Sequence, residues 1–442
     1  MTDAAPAKDG LLGRVLANAG MLLGGRTLNA VISLGYMALA ARSLGVASFG
    51  VLVLINTFAQ FIGDVARFQS WQTILQFGPA PLADGRRADF QRVIRFGLVL
   101  DAISALGGVA IGAVVVLLFG SLLGMPERME GPAALYAITI AFMVPATQIG
   151  LLRLFDRFGL LSIQAAISSL IRLIGGGVGF AIGAPVSFFL VVWGAGTLAG
   201  FIYVSVIAWQ ELRRRDLLTG FSWSGPLTAG MPGAWRFAVA TNASASVEVA
   251  FTHVATLAVG ALLGPTEAGL WRVARQIADA LAKPARLLIP AMYPELAKLR
   301  ASGGEAVMQR LAIRVGVIGG GFATLLLLVA VFAGEPLLTL VMGKDFAGAS
   351  QTMVWQVGAA VIGVWALPLE PMLVSMGRPG AVLRVRLVVA AVFLAALSPI
   401  VGAHGLQGAG AALVGASLAT ALGMFWSLMR VMRPKDQSPP AQ

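Results

Sequence analysis

The chain has 442 residues, of which 58% are apolar and only 12% charged, and its mean hydropathy is +0.84. That composition lies well outside the range of soluble domains. The formal net charge of +12 would suggest nucleic acid in a soluble protein, but positively charged loops account for it here. Cysteine is absent, which excludes disulfides, thiolate metal sites and cysteine nucleophiles.

Apolar runs long enough to cross a bilayer (about 18 residues or more) recur along nearly the whole chain. The pattern predicts about twelve spans, at 20–41, 50–77, 93–123, 132–152, 161–183, 187–209, 237–263, 267–293, 312–333, 349–374, 383–402 and 407–429. The longest loop, 210–236, is too short for a soluble domain. The opening MTDAAPAKDGLLGR lacks a positive n-region with a cleavage site and reads as a short lead-in. The last residues, 431–442, read as a disordered tail. On this map about 22 Lys and Arg fall on one set of loops and about three on the other, which places both termini in the cytoplasm.

Taken in chain order, the spans carry polar residues at helical spacing. The first has Arg26, Asn29 and Ser33 on one face. Arg26 is near the cytoplasmic end, so snorkelling to headgroups competes with a place in a cavity. The second has Asn56, Gln60, Asp64 and Arg67 within about 80° of one another. Asp64 and Arg67 are i, i+3 neighbours that can pair, either as a structural ion pair or facing a cavity. The fifth has an isolated arginine, Arg172, whose role stays open. In the seventh, Glu248 and His253 lie on different faces, and either is a candidate proton carrier. For His253 a hydrogen-bonded packing role is the competing reading.

The eighth span is the most polar. Arg272, Arg275, Asp279, Lys283 and Arg286 fall within a wedge of roughly 80°, opposite Leu, Val, Ile and Ala. A charge at the bilayer centre costs roughly 2.5–3.5 kcal/mol on insertion scales, so a stripe of five reads as the lining of a polar cavity. Four cations to one acid point to an anionic cargo. Arg275–Asp279 and Asp279–Lys283 are i, i+4 pairs, so Asp279 is a charge partner. In the tenth span Glu370 sits between Pro368 and Pro371, where a broken helix frees carbonyls. An ion-coupling site and a plain kink are equally good readings there.

The chain also repeats itself. Leu44-Gly45-x4-Gly50-Val51 returns as Leu263-Gly264-x4-Gly269-Leu270, and Ile94-Arg95-x-Gly97 as Ile313-Arg314-x-Gly316. The expected fold is therefore an all-α polytopic membrane protein with two pseudo-symmetric six-helix lobes, 1–211 and 236–430, joined by a cytoplasmic loop at 212–235. Lobes that enter the membrane in the same sense place a substrate site at their interface, as in alternating-access carriers. GxxxxGK[ST], GxSxG and HExxH are absent, and the two histidines, His253 and His404, give no metal-ligand cluster. No enzyme, catalytic residue, metal or cofactor is expected.

Three stretches carry a family resemblance: Ala41-Arg42-Ser43-Leu44-Gly45-x4-Phe49-Gly50, Gly264-Pro265-x3-Gly269-Leu270-x-Arg272-x2-Arg275-Gln276-x-Ala278-x4-Lys283-Pro284, and Tyr293-Pro294-Glu295-Leu296. In these the chain resembles the polysaccharide-biosynthesis flippases (Wzx-type) of the multidrug/oligosaccharidyl-lipid/polysaccharide (MOP) exporter superfamily. The resemblance implies a V-shaped carrier in the bacterial inner membrane. It would move an undecaprenyl-pyrophosphate-linked oligosaccharide from the cytoplasmic to the periplasmic leaflet for surface polysaccharide synthesis. An H⁺ or Na⁺ gradient would drive it, and a polysaccharide polymerase is an implied neighbour; nucleic acid is not a partner. Pyrophosphate and glycan contacts are expected at Arg26, Arg67, Arg272, Arg275, Lys283 and Arg286. Asp64, Asp279, Glu248 and Glu370 are expected as ion-coupling groups or charge partners. The alternative is a multidrug or toxin exporter of the same superfamily, whose cationic cargo would call for a lumen dominated by Asp and Glu.

Overall fold

A computed structural model describes residues 8–286, 305–376 and 378–432, with side chains from Asn29 onward except chiefly at 243–252 and 281–309. Every regular element among them is helical. Among the described residues eight segments are long and apolar enough to cross a membrane; the expected span 237–263 falls within a further helix, and the end of 267–293 lies outside the described residues. Side chains such as Leu106, Ile318 and Phe332 stand 74%, 72% and 82% exposed. Outside a bilayer such an apolar surface would be a liability; against lipid it is a solvent-matched exterior.

The first helix, α1 (Lys8–Ala66), is two rods joined at Gly45, whose φ of 69° and ψ of 172° are non-helical. The corresponding glycine of the repeat, Gly264, has φ 97° and separates α10 (Ala234–Leu263) from α11 (Pro265–Arg286). The repeat thus marks one device used twice. A left-handed backbone costs a residue with a β-carbon about 1–2 kcal/mol, and glycine avoids that cost.

The chain divides into two compact units, Met1–Leu257 and Ala258–Gln442. The division falls inside α10, past the 212–235 connection, because the start of α10 packs into the first unit. Ala234 and Ala238 belong to the same apolar cluster as Phe90, Ile94 and Leu212.

In the first unit α4 (Arg87–Phe119) is the organising helix. The second expected span breaks after Ala66 and resumes as α2 (Ser70–Phe77), followed by the short α3 (Pro79–Ala83). The fourth, expected over 132–152, is built of three short pieces: α5 (Glu130–Tyr136), α6 (Thr139–Phe142) and α7 (Ala146–Leu154). Breaks in an apolar setting leave backbone groups to be satisfied. Asp101 of α4, only 7% exposed, meets both breaks at once. It accepts from the Ser70 hydroxyl at the head of α2 and from the Thr147 N–H, at 2.9 Å, at the head of α7. Ser104 adds a third bond, accepting from the Phe68 N–H at 2.9 Å. Helices α8 (Phe158–Ala181) and α9 (Val186–Arg214) complete the unit.

The connection after α9 is fastened to α4. Gln91 donates to the carbonyls of Leu217 and Thr219 at 2.8 and 3.0 Å. Arg95, 3% exposed, donates to the carbonyls of Ser222, Ser224, Gly225 and Pro226. Its repeat counterpart Arg314 is exposed, so the same sequence mark serves two environments.

The second unit is built on α11, α12 (Glu305–Met342), α13 (Ala349–Trp365), α14 (Leu369–Ser375) and α15 (Pro379–Met432), the last broken at Gly405 (φ 58°). Helix α13 packs against α11, α12 and α15. Leu367, Leu373, Met424 and Leu428 form a buried cluster where α14 meets α15.

Hydrogen bonds from a charged donor are worth about 1.5–3 kcal/mol each, so Arg95 is the main fastening of the connecting loop. Arg95→Met is expected to raise the rate of chymotryptic cutting at Phe221 and Trp223 about tenfold or more, with helix content unchanged. Digestion of the variant at the native rate would show that Gln91 and the apolar contacts hold the loop without Arg95.

Candidate functional site

Among the described residues, several charged side chains inside the spans line two cavities, one in each unit. The cavity of the second unit, about 490 Å³, is lined by Arg275 and Asp279 of α11, Gln356 of α13, Glu370 of α14, and Arg386, Ser417 and Thr420 of α15. The amphipathic character of α11 places them. Trp271, Val273 and Ala274 are buried against the rest of the unit, which leaves the Arg275–Ala278–Asp279 side to the cavity. Arg275 Nε lies 3.3 Å from Asp279 Oδ2 across one turn. Across the break between α14 and α15, an Arg386 guanidinium nitrogen lies 2.7 Å from Glu370 Oε2. Two cations and two carboxylates face this space, each cation answered by an acid. Pairing of this kind offsets the cost of placing charge among apolar helices. Arg272, one turn before, is not among the lining residues.

The cavity of the first unit, about 350 Å³, is lined by Gln60, Asp64 and Arg67 of α1, Gln164, Ser168 and Arg172 of α8, and Thr197 of α9. Asp64 is shared between two partners. Its Oδ1 lies 2.9 Å from an Arg67 nitrogen and its Oδ2 3.0 Å from His253 Nε2. Arg172 donates to Thr197 Oγ1 at 2.9 Å, the Trp193 carbonyl at 3.3 Å and the Tyr36 hydroxyl at 3.4 Å. Its guanidinium lies 5.7 Å from the Tyr36 ring centre and 5.6 Å from that of Trp193, within cation–π range.

Of the polar stripe in the second span, Gln60, Asp64 and Arg67 reach the cavity, whereas Asn56 is buried and accepts from the Tyr136 hydroxyl at 3.0 Å. Of the eighth-span stripe, Arg275 and Asp279 line a cavity. The side chains of Arg26, Glu248, Lys283 and Arg286 lie outside the described residues. Three participants escape a sequence reading: His253 as a partner of Asp64, Arg386 as a partner of Glu370, and the aromatic setting of Arg172. None of these contacts is spaced along a single helix, so periodicity carries no sign of them.

Similarity to known proteins agrees with this architecture. A family model described as "Polysaccharide biosynthesis protein" matches residues 15–300. The chain is 32% identical over 344 residues to "Inner membrane protein YghQ" of Escherichia coli (strain K12), covering 77% of this chain and 96% of that protein. Among solved structures it shares its fold with lipid II flippase MurJ in an inward closed conformation. The TM-score there is 0.74 at 13% identity, over 92% of this chain and 87% of that one. An inward-facing multidrug resistance MATE family transporter of the MOP superfamily aligns with a TM-score of 0.71, also at 13% identity, over 95% of this chain and all of that one. On the family match and the extent of the sequence identity, the chain belongs to the polysaccharide biosynthesis protein family.

Proposed function

We propose that this protein is a flippase. It moves a polyprenyl-pyrophosphate-linked oligosaccharide across the inner membrane, from the cytoplasmic to the periplasmic leaflet, by ion-coupled alternating access. The observation that carries the reading is the placement of arginine side chains on polar cavities inside otherwise apolar helices: Arg67 and Arg172 in one unit, Arg275 and Arg386 in the other. Guanidinium forks match phosphate oxygens in charge and geometry. The apolar exterior lets a polyprenyl tail stay in lipid while the head group crosses. Family membership supports a role in polysaccharide synthesis, and the YghQ relative supports an inner-membrane site. Both termini face the cytoplasm in this proposal, as the loop charges require.

Coupling is assigned to Asp64 with His253. Sodium takes oxygen ligands, as hard cations do, and both oxygens of Asp64 are engaged by nitrogen donors. A proton needs no such shell and can reside on a ring nitrogen of the histidine. The balanced charge of the second cavity favours one further reading, a multidrug exporter, because Asp279 and Glu370 there would suit an organic cation.

In proteoliposomes with a fluorescent polyprenyl-pyrophosphate oligosaccharide, the native chain is expected to exchange the lipid between leaflets in response to an ion gradient. Arg275→Gln should slow that exchange about tenfold or more, the loss of one charge-assisted contact in a low-dielectric site. No exchange by folded native protein, together with expulsion of ethidium, would replace the flippase with the exporter. His253→Gln keeps a hydrogen-bonding side chain but cannot titrate. It is expected to retain slow exchange that no longer responds to a proton gradient, and an unchanged response would remove His253 from the coupling.

A further inference from the structure

Among the described residues, the cavity of the first unit holds a cation that no acid answers. Arg172 lies well inside α8, a helix of 24 residues. An unpaired charge at such a depth costs roughly 2.5–3.5 kcal/mol on insertion scales. Its partners among the described residues are all neutral: a threonine hydroxyl, a backbone carbonyl, a tyrosine hydroxyl and two aromatic rings. They orient the guanidinium without neutralising it. They also take only part of its hydrogen-bonding capacity, since Nε is buried with no partner and an arginine has five N–H donors.

The neighbouring cation is differently placed. Arg67 is held by Asp64 at 2.9 Å, and the other oxygen of Asp64 is occupied by His253. A ligand approaching Arg67 meets a cation already partnered by a carboxylate, whereas the described partners of Arg172 are neutral. The local backbone also makes room for the Arg172 side chain. A β-carbon on Gly196 of α9 would stand 3.1 Å from Arg172 Cγ and 3.2 Å from its Nε, so glycine there lets α9 close over the side chain. Gln60 and Gln164, on the same cavity, carry amide N–H groups that can bond a bound oxyanion without adding charge.

We propose that Arg172, seated on Tyr36, Trp193 and Thr197, is the residue of the first unit that receives the phosphate of the transported lipid. The ligand class is a phosphate or pyrophosphate ester. This rests on the flippase reading and adds to it a binding residue in the fifth span.

The test is binding to the full-length protein in nanodiscs of phosphatidylcholine, read from tryptophan fluorescence, since Trp193 adjoins the site. The probes are undecaprenyl pyrophosphate, undecaprenol, phosphatidylglycerol and inorganic pyrophosphate. Native protein is expected to bind undecaprenyl pyrophosphate well above undecaprenol. Arg172→Gln should weaken the phosphorylated lipid about tenfold or more, and Arg172→Lys less, since lysine keeps the charge without the fork. Thr197→Val, which removes only an orienting contact, should weaken it about threefold, and it decides the matter if Arg172→Gln fails to fold. Unchanged affinity in folded Arg172→Gln, or in Thr197→Val where that variant must decide, overturns the proposal and leaves the flippase reading standing. Native protein that binds no polyprenyl pyrophosphate overturns the flippase reading itself. Equal, Arg172-dependent binding of phosphatidylglycerol or of inorganic pyrophosphate overturns the assignment to the transported lipid, in favour of a bilayer headgroup or a free phosphate.

Discussion

Inside a bilayer, a polar group has no water to fall back on, and every unusual feature of this chain follows from how that debt is settled. The backbone breaks at Arg67–Gln69 and before Ala146 would each leave N–H groups bare. Asp101 collects donors from both, so the two breaks share one carboxylate. The same requirement governs charge. Asp64 meets Arg67 and His253, Asp279 meets Arg275, and Glu370 meets Arg386. Broken helices and buried charges are thus two aspects of one constraint: these charged side chains are answered locally or face a cavity.

That constraint also explains what a reader of the sequence can see. Gly45 and Gly264 are legible because one covalent rule, the absence of a β-carbon, fixes both the residue and its backbone. The pairs Asp64–Arg67 and Arg275–Asp279 are legible because helical geometry brings i, i+3 and i, i+4 residues together. His253 and Asp64 are 189 positions apart, and Glu370 and Arg386 sit on either side of a helix break. Such contacts depend on how separate helices pack, and no local spacing encodes that. The division of the fourth span into short helices has a related reason. Its composition is apolar enough for one helix, while the break before α7 is met by Asp101, a residue of another element.

The charge excess read from the eighth span takes a different form in three dimensions. Taken alone, that stripe suggests a strongly cationic space, yet the described lining of the second cavity balances Arg275 and Arg386 against Asp279 and Glu370. A helical wheel counts the charges of one helix, whereas a cavity is lined by several. The acid that answers Arg386 enters from α14, beyond a proline-marked break. In the first cavity the balance tips the other way, because Asp64 is one acid facing Arg67 and Arg172.

The two cavities therefore differ in kind. A closed ion pair binds a charged ligand only by exchange, giving up one charge-assisted contact for another, so its net gain is small. A cation held by neutral partners gains a full charge-assisted contact when an anion arrives. On the proposed flippase reading, selectivity for a phosphate-bearing cargo belongs with Arg172 in the first unit. The paired residues of the second unit suit a step in which binding is traded rather than accumulated. A carrier must release what it binds, and a site made only of unanswered cations would hold a pyrophosphate too tightly to let it go. One open cation beside closed pairs gives recognition without that trap.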